Sequence, residues 1–506
     1  MLRRNAAADP DRTALVCGER RLTHAELDAR VDSLACGLRQ RLRPLDRIVV
    51  QLPNRMELVE LLFACFRASV IPVMALPGHR RVDLEHFVRQ TDARALATVG
   101  RWAGFDHAGL ARVLRGDLES LEHLFVVSEE GGDGFDSLRA GGAGLPPADA
   151  TQVALLQLSG GSTGTPKLIP RTHDDYLFSV RRSAELCGLG PSSVYLVALP
   201  GTHNFPLSSA GILGALWAGG TVVLCPRPDP STAFGLIDRE GVTITGVVPP
   251  LARAWLAAAP AGGLSSLEVL QVGGAKLDPE LATELVEGFG CTLQQVFGMA
   301  EGLVCYTRLG DSPGVVLETQ GRPMCEADEL RVVDANGDPV PDGEVGDLQT
   351  RGPYTIRGYY RAPEHDRSAF TADGFYRTGD RVRLRPDGNL VVEGRSKEQV
   401  SRGGEKIAPV EVEAHLRTFP GVRDAAVVGV PDRVLGERLC AVLVVEGEPQ
   451  IRRPALVRHL RDRGVAEFKM PDRIAFVDAL PTTKVGKTDR RALERQLRHP
   501  ATGGTP

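Results

Sequence analysis

None of the nine cysteines is paired in a C-x-x-C spacing, which excludes the common zinc-knuckle and dithiol redox motifs. They are scattered from Cys17 to Cys440 and odd in number. That pattern predicts free, mostly buried thiols in a reducing compartment rather than a disulfide framework. Charge of one sign is also lacking: the net charge is -4, too small to imply a polyanionic partner, so nucleic acid binding is not expected. Long apolar runs are missing as well. The greasiest stretch, Leu58 to Leu76, is interrupted by Glu60, Arg67 and Pro72 and cannot span a bilayer. The first residues, MLRRNAAADPDR, hold basic side chains but no apolar core, so no secretory signal is read there. What remains is a globular cytoplasmic protein of 506 residues, a length that predicts roughly two to four structural units.

Helix-like and strand-like segments alternate along most of the chain. LTHAELDARVDSLACGLRQRL carries apolar residues at helical spacing, with Thr23 and Glu26 placed for a capping box. Short apolar runs follow at Arg47–Leu52, Ser193–Leu199, Thr221–Leu224, Thr243–Val248 and Leu267–Val272, separated by helix-length stretches. Such alternation predicts an α/β architecture of layered, largely parallel sheets. From about residue 329 the texture changes. ELRVVD, GDLQTRG and VRLRPDGNLVVEG are joined through Asn336-Gly337, Asp342-Gly343 and Asp387-Gly388, dipeptides that favour tight hairpin turns. A small antiparallel, β-barrel-like part is expected there. Beyond the charged Arg395-Ser396-Lys397 a smaller α+β unit begins. The expected division is therefore 1–396, 397–500 and a frayed tail at 501–506.

Residues 159–167, SGGSTGTPK, follow the apolar run Val153–Leu158. Glycines free successive N–H groups to wrap phosphate oxygens, hydroxyls add donors and a lysine adds charge. The nucleotide-triphosphatase loop has adjacent Gly-Lys with Ser or Thr next; here Thr165 and Pro166 separate Gly164 from Lys167, and Leu168 follows. The longer string LSGGSTGTPKLIPRTH resembles instead the signature of the adenylate-forming superfamily. That resemblance recurs in order: Gln295-Val296-Phe297-Gly298-Met299-Ala300-Glu301 resembles the adenine motif, and Tyr376-Arg377-Thr378-Gly379-Asp380 matches YRTGD. Glu393-Gly394-Arg395-Ser396-Lys397 resembles the hinge motif, Arg402-Gly403-Gly404-Glu405-Lys406-Ile407 the loop after it, and Pro481–Lys487 the motif of the catalytic lysine.

The resemblance implies ATP and Mg²⁺ as cofactors and assigns roles residue by residue. Lys487 is the catalytic cation bridging carboxylate, α-phosphate and ribose, and Glu301 holds the metal. Asp380 bonds the ribose hydroxyls with Arg395 assisting. Ser159, Gly160, Gly161, Ser162, Thr163, Gly164 and Lys167 bind the β- and γ-phosphates, and Gly274, Gln295, Val296 and Phe297 complete the nucleotide site. Lys397 is the hinge of a mobile C-terminal lid. The physical logic is sound: a carboxylate must attack a phosphate, and cations placed where charge accumulates stabilise the transition state.

A further cluster, Gly201-Thr202-His203-Asn204-Phe205-Pro206-Leu207-Ser208-Ser209 with Gln271–Lys276 and FGMAEGLVCYTR, resembles the free-standing aryl acid–AMP ligases. These activate 2,3-dihydroxybenzoate or salicylate for siderophore and related peptide assembly. Amino acid-activating relatives typically carry Asp at the position of Asn204. A neutral Asn would leave an amino acid's ammonium unpaired, yet it can hydrogen-bond an ortho-hydroxyl. The implied aryl pocket comprises Asn204, Phe205, Ser209, Gly273, Gly274 and Val304, with His203 beside the path of a phosphopantetheine arm. Ala210, where many relatives have proline, and the variable Gly201-Thr202 leave room for another ortho-substituted acid such as 3-hydroxypicolinate or 3-hydroxyanthranilate. The chain also starts closer to its first helix than such relatives do. No modifiable carrier serine motif is present, so the expected acceptor is a separate carrier protein. An aryl-CoA ligase using coenzyme A is the alternative, and a catalytically silent acid-binding relative is the reading from another class.

Overall fold

The computed structural model of the chain describes residues 1–127, 134–142, 144–159, 166–395, 399–445, 451–482 and 488–498, with the side chains of Arg395 and Arg498 outside that set. The chain divides into two compact units. One comprises residues 1–77, 85–158 and 168–396; the other comprises 78–84, 159–167 and 397–506.

The larger unit is built on a nine-stranded and a six-stranded sheet. In the first, strands Thr13–Cys17, Thr221–Leu224, Val194–Val197, Ile244–Val247, Val269–Gly273 and Thr292–Gly298 lie side by side in parallel. Val304–Tyr306 and Arg322–Pro323 extend one edge antiparallel, and Arg20–Thr23 the other. Each of the apolar runs from Ser193 to Val272 read as strands contributes one, and their near-continuous hydrophobicity follows from burial on both faces. Tyr195, Val197, Ile244 and Val269 join one core, whereas Leu196, Val247, Leu270 and Val272 join another on the opposite face. The six-stranded sheet places Arg47–Val50 between Ile71–Met74 and Ala95–Val99, all parallel, with Leu168–Thr172 antiparallel at one edge.

The helix His24–Arg39 has the predicted capping box: Thr23 Oγ1 accepts from Glu26 N, and Thr23 N donates to Glu26 Oε2 at 2.8 Å. The expected β region is a four-stranded antiparallel sheet, Glu329–Val333, Val345–Arg351, Tyr376–Leu384 and Leu390–Arg395. Gly388 turns the last hairpin at φ +79°, a conformation open to glycine at no steric cost. All nine cysteines are free thiols.

The smaller unit is a five-stranded sheet led by the long hairpin Val422–Asp432 and Gly436–Val445, packed by helices Pro409–Leu416 and Arg453–Asp462. Within it Lys469, 3% exposed, donates to Asp83 Oδ1 at 2.6 Å and to Glu411 Oε1 at 2.5 Å. Two carboxylates around one buried ammonium satisfy a charge that would otherwise be costly to bury. Among the described residues no helix is long and apolar enough to cross a membrane.

Candidate active site

In an open parallel sheet the carboxyl ends of the strands are where ligands bind, and Asn204, Phe205, Gly273, Gly274 and Glu301 lie at or just beyond those ends. Asn204 and Phe205 begin the short helix Asn204–Ser208, reached seven residues after the strand Val194–Val197. Gly273 ends the strand Val269–Gly273, with Gly274 next at φ +82°. Glu301 lies three residues beyond the strand Thr292–Gly298, and Val304 returns in the adjacent antiparallel strand, opposite Gly298.

Asn204 has a defined orientation. Tyr176 donates its hydroxyl to Asn204 Oδ1 at 2.9 Å, and Ser208 Oγ donates to the same oxygen at 3.2 Å. Gln157 Nε2 donates in turn to the Tyr176 hydroxyl at 3.4 Å. Burial pushes that hydroxyl up to about 12, so it stays a protonated donor through the neutral range. With its carbonyl oxygen occupied, the amide of Asn204 presents its N–H₂ face, which has no protein acceptor among the described residues. The site therefore offers a neutral hydrogen-bond donor rather than a carboxylate. Tyr176 was not visible as a site residue in the sequence, because it lies 28 positions earlier on another helix.

Phe205 lies against glycine. A Cβ built on Gly273 would meet the Phe205 ring at 3.2 and 3.3 Å and the Val296 carbonyl oxygen at 2.8 Å. Gly273 thus lets the ring settle onto the sheet. Ser209 is buried, and the Tyr306 hydroxyl donates to Ser183 Oγ at 2.8 Å. His203 caps the short helix, its Nδ1 accepting from Phe205 N at 3.4 Å, and its side chain is exposed.

Glu301 is buried, and Tyr359 donates to its Oε1 at 2.8 Å; Tyr359 and Tyr376 hydroxyls meet at 2.9 Å. Burial and the Glu301 charge drive both phenols well above the usual tyrosine range, so Glu301 accepts from a neutral donor, Tyr359. Arg171 steadies the same segment. It is 2% exposed, its Nη1 donates to the Ala300 carbonyl at 2.9 Å, and its Nε donates to Asp175 at 2.8 Å. The PRTH end of the loop signature was the available clue to Arg171. Gln295 is also buried, but its Nε2 donates to the Val316 carbonyl at 2.7 Å and its Oε1 accepts from Gln320 at 3.0 Å. Its side chain is spent on the neighbouring segment, while Val296 is buried and Phe297 half-buried.

Asp380 is buried on the strand Tyr376–Leu384, in register with Arg395 on the next strand. The phosphate-loop reading falls largely on residues outside the described set: Gly160, Gly161, Ser162, Thr163 and Gly164. The two ends of that loop are described, and they are laced together. Ser159 N donates to the Lys167 carbonyl at 2.9 Å, and Lys167 N donates to Ser159 Oγ at 3.1 Å. Lys397 and Lys487 also lie outside the described residues.

The family model described as "AMP-binding enzyme" matches residues 2–360, and "AMP-binding enzyme C-terminal domain" matches 411–487. The 2,3-dihydroxybenzoate-AMP ligase of Bacillus subtilis is 51% identical over 98% of this chain and 93% of its own. The salicyl-AMP ligase / salicyl-S-ArCP synthetase of Mycobacterium tuberculosis is 48% identical over 96% of this chain and 88% of its own. Among solved structures, apo MbtA of Mycobacterium smegmatis superposes with a TM-score of 0.74 at 45% identity, covering 98% of this chain and 94% of that one.

Proposed function

This chain belongs to the AMP-binding enzyme family, and from that premise we propose that it is an ATP-dependent ligase for an ortho-hydroxy aryl carboxylic acid. Enzymes of this family use ATP. The observation that carries the substrate class is the fixed amide of Asn204, whose N–H₂ face suits the oxygen of an ortho-hydroxyl. An amino acid's ammonium would find no counter-charge from that side chain. The names of the bacillary and mycobacterial relatives, a dihydroxybenzoate and a salicyl ligase, support the same class.

The reaction runs in two steps. A carboxylate oxygen of the acid attacks the α-phosphorus of ATP, the bond to the β-phosphate bridging oxygen breaks, and pyrophosphate leaves. A thiolate sulfur then attacks the acyl carbon, and AMP departs as the thioester forms. Ser159, Lys167 and the loop between them hold the leaving pyrophosphate, with backbone N–H groups and charge opposing its negative oxygens. Asp380 accepts from the ribose hydroxyls, and Arg395 assists. Lys487 meets the charge developing at the α-phosphate, where a placed cation is most effective. Phe205 packs the aryl ring, with Gly273, Gly274, Ser209 and Val304 forming its surroundings.

Magnesium fits Glu301. A single carboxylate steadied by the neutral Tyr359 hydroxyl suits an ion bound mainly through phosphate oxygens and water. When bound, Mg²⁺ would supply positive charge to the phosphates. The acceptor is a phosphopantetheine thiol on a separate carrier protein, and exposed His203 would border the path of its arm. Residues 1–396 form the adenylation core, and 397–500 form a lid that turns about Lys397 between the steps. Incubation with ATP, salicylate or 2,3-dihydroxybenzoate and a phosphopantetheinylated aryl carrier protein tests the reading by intact mass. Acyl-loaded carrier supports it, loading of coenzyme A alone replaces the acceptor, and no acyl-AMP from any aryl acid refutes it.

A further inference from the structure

One buried cation stands between the residue that reads the acid and the residue that holds the metal. Arg171 lies on the strand Leu168–Thr172, in register with Leu155, and is 2% exposed. A guanidinium is costly to bury unless its donors are paired, and an apolar side chain of similar volume often packs such a position with no loss of stability. Its presence there needs a reason beyond filling space.

Its contacts supply one. Nε donates to Asp175 Oδ1 at 2.8 Å, and Asp175 Oδ2 accepts from Thr172 N at 2.9 Å as part of the capping box of the helix His173–Leu186. The guanidinium carbon stands 4.8 Å from the centroid of the Tyr176 ring, the next residue of that helix. A cation over an aromatic face is attracted most strongly where water is excluded. Tyr176 is the residue whose hydroxyl turns the Asn204 amide. Nη1 donates to the Ala300 carbonyl at 2.9 Å, the oxygen of the peptide that joins Ala300 to Glu301.

A single group thus separates Arg171 from each of the two ligand-facing side chains. Tyr176 lies between it and Asn204, and the Ala300–Glu301 peptide lies between it and Glu301. The guanidinium is planar and moves as a unit, so a shift at one contact is felt at the other. Its third nitrogen, Nη2, is buried with no hydrogen-bond partner among the described residues. With that corner unheld, the plane is free to tilt about the other two.

We propose, on the basis of the aryl-acid reading above, that Arg171 is a positioning residue through which nucleotide binding sharpens recognition of the ortho-hydroxyl. Nucleotide bound at Glu301 fixes the Ala300–Glu301 peptide, and that peptide fixes the guanidinium plane. The plane steadies the Tyr176 ring, whose hydroxyl holds the Asn204 amide toward the acid. The coupling is reciprocal: an ortho-hydroxy acid that fixes Asn204 tightens nucleotide binding by the same factor. Benzoate has the carboxylate but no hydroxyl, so it gains nothing by this route.

Calorimetric titration of salicylate and of benzoate, each with and without Mg²⁺ and α,β-methylene-ATP, provides the test. Both acids carry the same carboxylate, so its repulsion from the nucleotide cancels in the ratio of their Kd values. In the wild type that ratio should favour salicylate at least about fivefold more with nucleotide than without. Tyr176→Phe keeps the ring and removes the hydroxyl; Arg171→Lys keeps the charge and removes the fork. In each variant, shown to be folded by a thermal melt, the ratio should be the same with and without nucleotide to within about twofold. A wild-type ratio that ignores the nucleotide overturns the proposal, and so does either folded variant that retains the wild-type rise. Should Arg171→Lys fail to fold, Tyr176→Phe decides, since it leaves the cation in place. If the proposal fails while salicylate still binds more tightly than benzoate, the aryl-acid reading stands. A protein that binds neither acid, with or without nucleotide, sinks both.

Discussion

Replacing Asn204 with Asp isolates the feature on which substrate choice rests. The carboxylate keeps an oxygen where Tyr176 and Ser208 donate, at 2.9 and 3.2 Å in the parent protein, so the short helix keeps its internal bonds. Only the outward group changes, from a neutral donor to a charged acceptor. The ortho-hydroxyl oxygen loses a hydrogen bond of about 1.5 kcal/mol and gains a facing negative charge of similar cost, together about 3 kcal/mol. At 1.4 kcal/mol per factor of ten, that is roughly a hundredfold fall in kcat/KM for salicylate. Benzoate, which lacks the hydroxyl, should fall far less. ATP–pyrophosphate exchange with the two acids, alongside a thermal melt of the variant, provides the comparison. Equal losses on both acids, with the melt unchanged, would refute the idea that Asn204 reads the ortho position.

Three other outcomes follow from the same geometry. Gly273→Ala forces a methyl to 2.8 Å from the Val296 carbonyl and 3.2 Å from the Phe205 ring, so it should cost about 1–3 kcal/mol of stability and raise KM for the acid; an unchanged melt and KM would dismiss the contact. Lys487→Ala should cut exchange by at least about a hundredfold while sparing transfer from presynthesised aryl-AMP, since the cation acts on the first step; equal loss of both half-reactions would show otherwise. Asp328, half-buried and accepting from Tyr354 at 2.5 Å, is raised by burial to about 6. A raised folded-state carboxyl contributes stability at low pH and loses it as pH rises through the interval from the ordinary 3.8 to about 6. That loss amounts to at most about 3 kcal/mol. Asp328→Asn should flatten the pH dependence of unfolding over that window, and an unaltered slope would remove Asp328 as its source.

Much of the fold is written in local pattern. The Thr23–Glu26 box, the apolar runs that become parallel strands and the Asp-Gly turns all depend on neighbours in sequence. Strand order does not. Nothing in TALVC or TVVL says that Thr13–Cys17 and Thr221–Leu224 are adjacent, because that pairing is decided by packing across 200 intervening residues. The site shows the same division. Asn204 and Glu301 stand in motifs that can be read directly, but what orients them cannot. Tyr176 turns the Asn204 amide from a separate helix, and Tyr359 reaches Glu301 from 58 positions away.

The most direct measurement is acid-dependent ATP–pyrophosphate exchange by the purified protein with salicylate, 2,3-dihydroxybenzoate, benzoate and phenylalanine. Exchange with at least one of the two ortho-hydroxy acids, above benzoate and with none from phenylalanine, is the predicted result. Exchange driven by phenylalanine, or equal exchange with benzoate and salicylate, would contradict a site whose selective group is the outward amide of Asn204.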